Sequence, residues 1–149
     1  MPFEQLDRMK LNIKPLSERK DKVYIEKEFI APETPAPEFS DMAKDVLDET
    51  IARIKAARDA GKPRMLTFGA HSVKNCLSPV FIKLIESGWI THLATNGAGI
   101  IHDWEFAFQG HSSEDVRANV TQGQFGVWQE TGFNINLAIV VGAYEGLGY

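Results

Sequence analysis

The sequence predicts an α/β domain built on a parallel sheet with helices on both faces. Two apolar runs, Met65 to Phe68 and Trp89 to Ala94, have the near-continuous hydrophobic character of strands that are buried on both sides. A stretch with helical periodicity, from Leu77 to Glu86, lies between them and ends at Gly88. Because such sheets bind ligands at the carboxyl ends of their strands, the loops after these two strands are the expected ligand site.

These two loops contain nearly all the unusual polar chemistry of the chain. The first runs from Gly69 to Asn75, and the second from Thr95 to Gly99. Backbone N–H groups at a glycine-rich turn from a strand into a helix favour anions such as a pyrophosphate. The second loop lacks the GxGxxG spacing, so tight strand-to-helix packing is an alternative reason for its small residues.

Several side chains near the loops are candidates for catalysis or binding. Lys74 is one of four basic residues after position 63, which suggests a contact to a phosphate or carboxylate. His102 and Asp103 follow the second loop and are suited to acid/base work or to binding ribose hydroxyls, as is Glu105. The structural alternative is a capping Asp103 beside a hydrogen-bonded His102. No metal site is expected, because His-Asp-x-Glu lacks a histidine pair at i, i+4.

Composition narrows the class of protein. The chain has 149 residues, 44% of them hydrophobic, with a net charge of −4, which disfavours nucleic acid and anionic membranes as partners. The first ten residues contain no hydrophobic signal core, and the longest apolar run, Leu137 to Val141, is too short to span a bilayer. Cys76 is the only cysteine, so no internal disulfide exists and a cytoplasmic location is expected.

A boundary is expected near residue 39. Residues 1–39 form a polar arm that ends in a proline-rich connector, and residues 40–149 form the α/β domain. A helix is predicted from Asp41 to Ala60, with Ser40 as its cap and Gly61 at its end. Its amphipathic pattern predicts packing on the sheet.

The C-terminal third is less regular. Ser112 to Asp115 has the composition of a helix start, which predicts a helix to about Val120. A further helical turn is predicted over Phe125 to Thr131. Residues 134–148 fit either a strand or a helix, and the spacing of Leu137, Val140 and Tyr144 favours the helix.

The segment from Arg64 to Phe108 resembles the cofactor-binding region of deoxyhypusine synthase. Thr95-Asn96-Gly97-Ala98-Gly99 falls on the family's Thr-Thr-Ala-Gly-Gly-type loop, and Asp103 falls on the last acid of its Glu-Glu-Asp. Further on, Glu130-Thr131-Gly132-Phe133-Asn134 is similar to the family's Glu-Asn-Gly-Ile-Asn. The pattern is also similar to an NAD-dependent ornithine cyclodeaminase-like group of related fold.

The resemblance implies a Rossmann-like NAD-binding architecture and homo-oligomers with sites near subunit interfaces. It also implies an amine substrate: NAD oxidises a polyamine such as spermidine, and an aminobutyl group is transferred through an imine on a lysine. His102, Asp103 and Lys74 are the catalytic candidates. The residues expected to bind the cofactor are Gly69, Ala70, His71, Ser72, Thr95, Asn96, Gly97, Ala98, Gly99, His102 and Asp103.

The chain departs from the family at three places. Ala70-His71 stands where the family has Ser-Asn, and Ile101-His102 stands where it has two glutamates. The family's Gly-Gly-Gly-x-x-Lys segment, which carries the catalytic lysine, is absent from these 149 residues. The chain is therefore expected to be the N-terminal half of a longer enzyme or a shortened paralogue. The alternatives are an ornithine cyclodeaminase-like activity and a non-catalytic assembly module that keeps the fold.

Overall fold

The structure is a computed structural model that describes residues 3–148. Two short 3-10 helices, Arg8–Lys10 and Leu16–Glu18, precede the first strand. The strands and helices that follow, in chain order, are β1 (Asp21–Tyr24), α1 (Ile25–Glu28), α2 (Asp41–Asp59), β2 (Met65–Thr67), α3 (Ala70–Lys74), α4 (Ser78–Glu86), β3 (His92–Ala94), α5 (Gly97–Gln109), β4 (His111–Glu114), α6 (Val116–Val120) and α7 (Gln129–Tyr144).

The chain divides into two compact units. The central unit is Val23–His111, and the terminal unit combines the residues up to Lys22 with those from Ser112 onward. The boundary expected at residue 39 lies inside the central unit. Strands β1 and β4 form a two-stranded sheet.

A parallel pair of strands organises the central unit. β2 and β3 pair in register from Met65 opposite His92 to Thr67 opposite Ala94. The chain between them forms α3 and α4, as a parallel connection requires. The mixed α/β class and the parallel pairing are therefore confirmed, with two strands in this sheet.

β3 is shorter than the apolar run that predicts it. The backbone N–H groups of Trp89 and Ile90 both donate to the carbonyl of Leu84, so they close the end of α4 and do not extend the ladder. Gly88 allows this return because its φ of 68° lies in the left-handed region. The strand begins only at His92.

Arg64 fixes the opposite end of the parallel pair. Its backbone carbonyl accepts from the N–H of Thr91 at 2.9 Å, and its own N–H donates to Thr91 Oγ1 at 2.8 Å. Its guanidinium donates to the carbonyls of Trp89 at 2.8 Å and Gly88 at 3.2 Å, just past the end of α4. It also donates to Ala57 in the last turns of α2, at 3.4 Å. The Arg64 guanidinium therefore binds carbonyls near the C-terminal ends of both α2 and α4, where the helix dipole favours positive charge.

The first polar loop is largely helical, which corrects the prediction for Gly69 to Asn75. The N–H of Asn75 donates to the carbonyl of His71, which closes a helical turn over α3. α3 packs against α5 and buries Val73, which forms the core of the central unit with Cys76 and Phe106. The gain from burying Val73 explains why this short polar segment becomes helical.

α2 has the predicted ends and lacks the predicted packing. The Ser40 side chain accepts from the N–H of Ala43 at 3.3 Å, and Gly61 takes a φ of 63° just after the last turn. None of the residues of α2 is buried, however, and Met42 and Val46 are exposed. The prediction that its apolar face covers the sheet is wrong for the described chain, in which Arg58 and Ala57, near the end of α2, form hydrogen bonds with Ser87 and Arg64.

The terminal unit is held together around Leu16, which is fully buried. The N–H of Leu16 donates to Glu130 Oε2 at 2.6 Å, and the N–H of Gln129 donates to the carbonyl of Lys14 at 2.9 Å. These bonds connect the N-terminal segment to the start of α7. Arg19 lies 5.9 Å from the ring centroid of the buried Trp128, a cation–π contact that adds to the same cluster.

The C-terminal elements partly match the prediction. The helix to Val120 is confirmed, but its cap is Asp115, because Ser112 and Ser113 lie in β4. The turn of helix predicted over Phe125 to Thr131 is wrong before residue 129: Gly126 takes a φ of 68°, and α7 starts at Gln129. Residues 134–144 are helical, as favoured. None of the helices between residues 3 and 148 is long and apolar enough to cross a membrane.

Candidate functional site

The two turns that follow β2 and β3 lie side by side. Gly69 precedes α3 and Asn96 precedes α5, so each strand passes into a helix within a few residues. A Cβ atom placed on Gly69 would lie 3.6 Å from Asn96 Nδ2. The two loops that the sequence predicts as the ligand site therefore meet at the carboxyl ends of the parallel strands, where α/β sheets bind their ligands.

The first turn of α5 is closed by its own residues. Asn96 caps the helix, since its side-chain oxygen accepts from the N–H of Gly99 at 3.0 Å. Gly99 is buried, and a Cβ atom on it would overlap Thr95 Oγ1. The backbone of α5 therefore approaches the preceding turn as closely as a glycine allows. Gly97 and Ala98 are the first residues of α5, whose N–H groups have no preceding helical turn to bond to.

A cavity of about 550 Å³ opens beside these turns. Its walls come from the ends of both strands and from facing sides of α4 and α5, and they are predominantly apolar. Asp103 is the one ionisable side chain among them. The lining residues are Phe68, Val73, Ser78, Phe81, Ile82, Ile85, Leu93, Thr95, Gly99, Ile100, Asp103, Trp104 and Ala107. An apolar cavity with few polar groups at the end of a sheet is typical of a small-molecule site.

The candidate residues divide into two groups around this cavity. Thr95, Gly99 and Asp103 line it. His71 and Lys74 belong to α3 and His102 to α5, and none of these three is among the residues of its wall. His71 is exposed, whereas Lys74 and His102 are half-buried.

Asp103 also lines a second, smaller cavity of about 220 Å³, which includes Cys76. Burial raises the pKa of the Cys76 thiol above its ordinary value, and the charge of Glu28 raises it further. The thiol therefore remains protonated at neutral pH. The thiolate is the nucleophilic form of cysteine, so a protonated Cys76 does not serve as a nucleophile. Its role is to pack in the core of the central unit.

Sequence reasoning missed the apolar wall and misjudged one acid. Ile100 and Trp104 are four residues apart on α5, so they share a helix face and line the cavity together. Ile82 and Ile85 show the related i, i+3 spacing on α4. These two apolar helix faces are the feature of the sequence from which the apolar wall could have been predicted. Glu105 is only 1% exposed and is not in the cavity wall, so it does not share the position of Asp103.

The arrangement combines features for an anion and for an apolar group. The start of α5 offers backbone N–H groups and the positive end of a helix dipole. The cavity beside it offers apolar surface with one carboxylate, which favours a flat or aliphatic group. Comparisons with protein-family models, with curated proteins and with solved structures give no match for this chain.

Proposed function

We propose that this chain is the NAD-binding domain of a deoxyhypusine synthase-like enzyme with a Rossmann-like architecture. The observation that supports the proposal is the meeting of the Gly69 and Asn96 turns at the carboxyl ends of β2 and β3, beside an apolar cavity. The resemblance over Arg64 to Phe108 covers these same turns. The shape and the chemistry of the site both fit a dinucleotide, which needs an anion site next to an apolar slot.

The residues present fit this cofactor. A pyrophosphate would be held by the first N–H groups of α5 and by the turn at Gly69, whose missing Cβ leaves the backbone open. Asp103 would accept hydrogen bonds from ribose hydroxyls. Ile100 and Trp104 provide apolar walls for a flat ring. Bound NAD would supply a hydride acceptor.

The proposed reaction is oxidation of an amine, with aminobutyl transfer from a polyamine such as spermidine. The chain's own contribution is to bind and orient the amine next to the cofactor: the Asp103 carboxylate, which has two oxygens, would bind the ribose through one and attract one ammonium group of the amine through the other. The homo-oligomer implied by the resemblance would bring a second subunit near this site. Lys74 in α3 and His102 in α5 are the proposed imine-forming amine and proton carrier.

A charge introduced at the start of α5 tests cofactor binding. We expect wild-type protein to bind NAD in calorimetry, and Gly97→Asp to weaken binding by about 100-fold, because a carboxylate there repels a pyrophosphate. Met42→Asp is the matched control: it adds the same charge to the first turn of α2, at an exposed position in another part of the chain. The control should bind like wild type. Absence of heat at millimolar NAD contradicts the proposal and favours the assembly module, whereas equal binding by all three proteins contradicts a pyrophosphate site at the start of α5.

The substrate is tested by NADH formation with spermidine, putrescine or ornithine. Spermidine as the best substrate supports polyamine chemistry, whereas ornithine alone supports the cyclodeaminase-like activity. Borohydride trapping with a diamine, followed by peptide mapping, tests Lys74. An adduct at another residue or no adduct removes Lys74 from the mechanism.

A further inference from the structure

The C-terminal helix α7 has a composition unlike the rest of the surface. No Asp, Glu, Lys, Arg or His occurs from Thr131 to Tyr144, and no basic residue follows Arg117. None of the residues of α7 is buried in the described chain. A helix that is apolar on nearly all sides is normally covered by protein.

Two opposite faces of α7 have different surroundings. At 100° per residue, Thr131, Asn134, Ile135 and Gly142 fall on one side, and all are half-buried within the terminal unit. Four exposed apolar side chains fall on the opposite side and define a stripe that we call the α7 seam: Phe133 (65% exposed), Leu137 (48%), Val140 (65%) and Tyr144 (89%).

The spacing within the α7 seam is that of a helix pair. Its members are separated by four, three and four residues, the alternation by which a and d positions follow one another in a coiled coil. Such a stripe faces one neighbouring helix along its length. We propose that the α7 seam packs against the α7 seam of a second copy of this chain, related by a two-fold axis.

The area of the seam is sufficient for a dimer. With aromatic side chains contributing about 150–250 Å² when fully exposed, the seam and its neighbours Val141 and Leu147 present on the order of 700 Å² per copy. Complete burial of this area in two copies would give an upper limit of roughly 1,400 Å², within the range of about 1,200–2,000 Å² for specific interfaces. A two-fold pair needs a self-complementary surface, and an uncharged stripe meets its own copy without like-charge repulsion.

Charge disfavours a membrane as the occupant. Amphipathic helices that lie on a bilayer carry Lys and Arg on their polar face, which attract anionic lipids. α7 has neither, and Glu130 and Glu145 flank its uncharged stretch. Pairing of the two seams would provide an interface for the homo-oligomer of the proposed function. The test of this pairing measures assembly and not NAD binding.

The test uses the full chain in analytical ultracentrifugation. Wild type is expected to be a dimer, and Val140→Glu is expected to raise the dimer dissociation constant by about 100-fold or more, because it places like charges in an apolar contact. Val120→Glu is the matched control: Val120 is also an exposed helical valine of the terminal unit, outside the α7 seam. The control should remain a dimer. Circular dichroism checks that each variant is folded.

A charge-complement experiment separates the seam from a general effect of charge. A chain with Leu137→Glu and Val140→Glu is mixed with a differently tagged chain with Leu137→Lys and Val140→Lys. Each should be monomeric alone, and together they should form a heterodimer, since these seam positions face one another in either helix orientation. Monomeric wild type, dimeric Val140→Glu, or two double variants that stay monomeric when mixed would each overturn the proposal, whether or not NAD binds.

Discussion

At the scale of single residues, the contact between Gly99 and Thr95 sets how closely α5 follows β3. The absent side chain of Gly99 leaves room for Thr95 Oγ1, and Asn96 caps the same turn. Glycine in a helix costs about 1 kcal/mol relative to alanine, so its presence in the first turn needs a compensating reason. The close approach of Thr95 provides it.

A double-mutant cycle tests this contact. Gly99→Ala should lower the free energy of unfolding by about 1 kcal/mol in wild type, because the new methyl group overlaps Thr95. In a Thr95→Ala background the same change should raise it by roughly 0.5–1 kcal/mol, since only the helix preference remains. Urea unfolding measures both. Equal effects in the two backgrounds would show that Thr95 does not restrict the site.

The sequence predicts some of these residues and misses others for physical reasons. A glycine-rich turn after an apolar run predicts a ligand edge, and Thr95 and Gly99 do lie at the cavity. The burial of Glu105 was not predictable, because Glu105 lies within α5, eight residues after Gly97, and the sequence alone does not show which side of that helix is covered. The folded chain leaves only 1% of Glu105 exposed.

At the scale of elements, short helices depend on their caps. Asp115 begins α6, a helix of five residues, and its carboxylate accepts from the N–H of Ala118 at 3.2 Å. This hydrogen bond is the main reason that the pKa of Asp115 is lower than usual. Burial opposes the shift, and the ammonium of Lys22, 3.3 Å away, adds to it. The charged form is therefore the one that the folded state favours.

The sign of this shift predicts a pH dependence. A carboxyl group whose pKa is lower in the folded state stabilises it above the unfolded pKa, about 3.9, and loses that contribution as pH falls through the folded value. Asp115→Asn keeps an acceptor for the cap and removes the charge. We expect a lower Tm than wild type at pH 7 and a smaller difference near pH 3, by calorimetry at both values. A difference that grows on acidification would contradict the role of the charge.

Helix ends with strong signals are well predicted, and packing is not. Ser40 and Gly61 fix the ends of α2 because a cap and a left-handed residue act locally. β3 is shortened because Leu84 accepts hydrogen bonds from residues 89 and 90, a competition that a hydrophobic run does not reveal. α2 illustrates the general limit, since its pattern identifies an apolar face without identifying what covers that face.

At the scale of the whole molecule, much apolar surface lies outside both cores. Met42, Val46 and Ile51 are exposed on α2, and the α7 seam is exposed at the C-terminal end. Contiguous apolar surface of this kind marks sites of association. The uneven charge of the sequence indicates such apolar surface, since only 4 Lys/Arg and 7 Asp/Glu occur from residue 64 onward. Which side chains form the exposed stripe is known only from the fold.

Association through the α7 seam predicts that stability depends on concentration. When folding is coupled to dimer formation, the thermal midpoint rises with protein concentration. We expect the Tm of wild type to increase by several degrees between 1 μM and 100 μM, as measured by differential scanning fluorimetry. Val140→Glu should show a Tm independent of concentration, and Val120→Glu should follow wild type. A wild-type Tm that is constant over this range contradicts coupled assembly.

Arg64 also affects whether β2 and β3 pair in the correct register when the chain folds. Its hydrogen bonds to Thr91 and to the end of α4 specify which residue of β2 faces which residue of β3. A slip of one residue would turn every side chain of that strand to the opposite face. It would also carry Gly69 past Asn96, so that the two turns no longer met. The Arg64 guanidinium, which lies just before the three-residue strand β2, thus keeps the turns beside the cavity aligned. A chain with the wrong register could keep its helices and still lack the site.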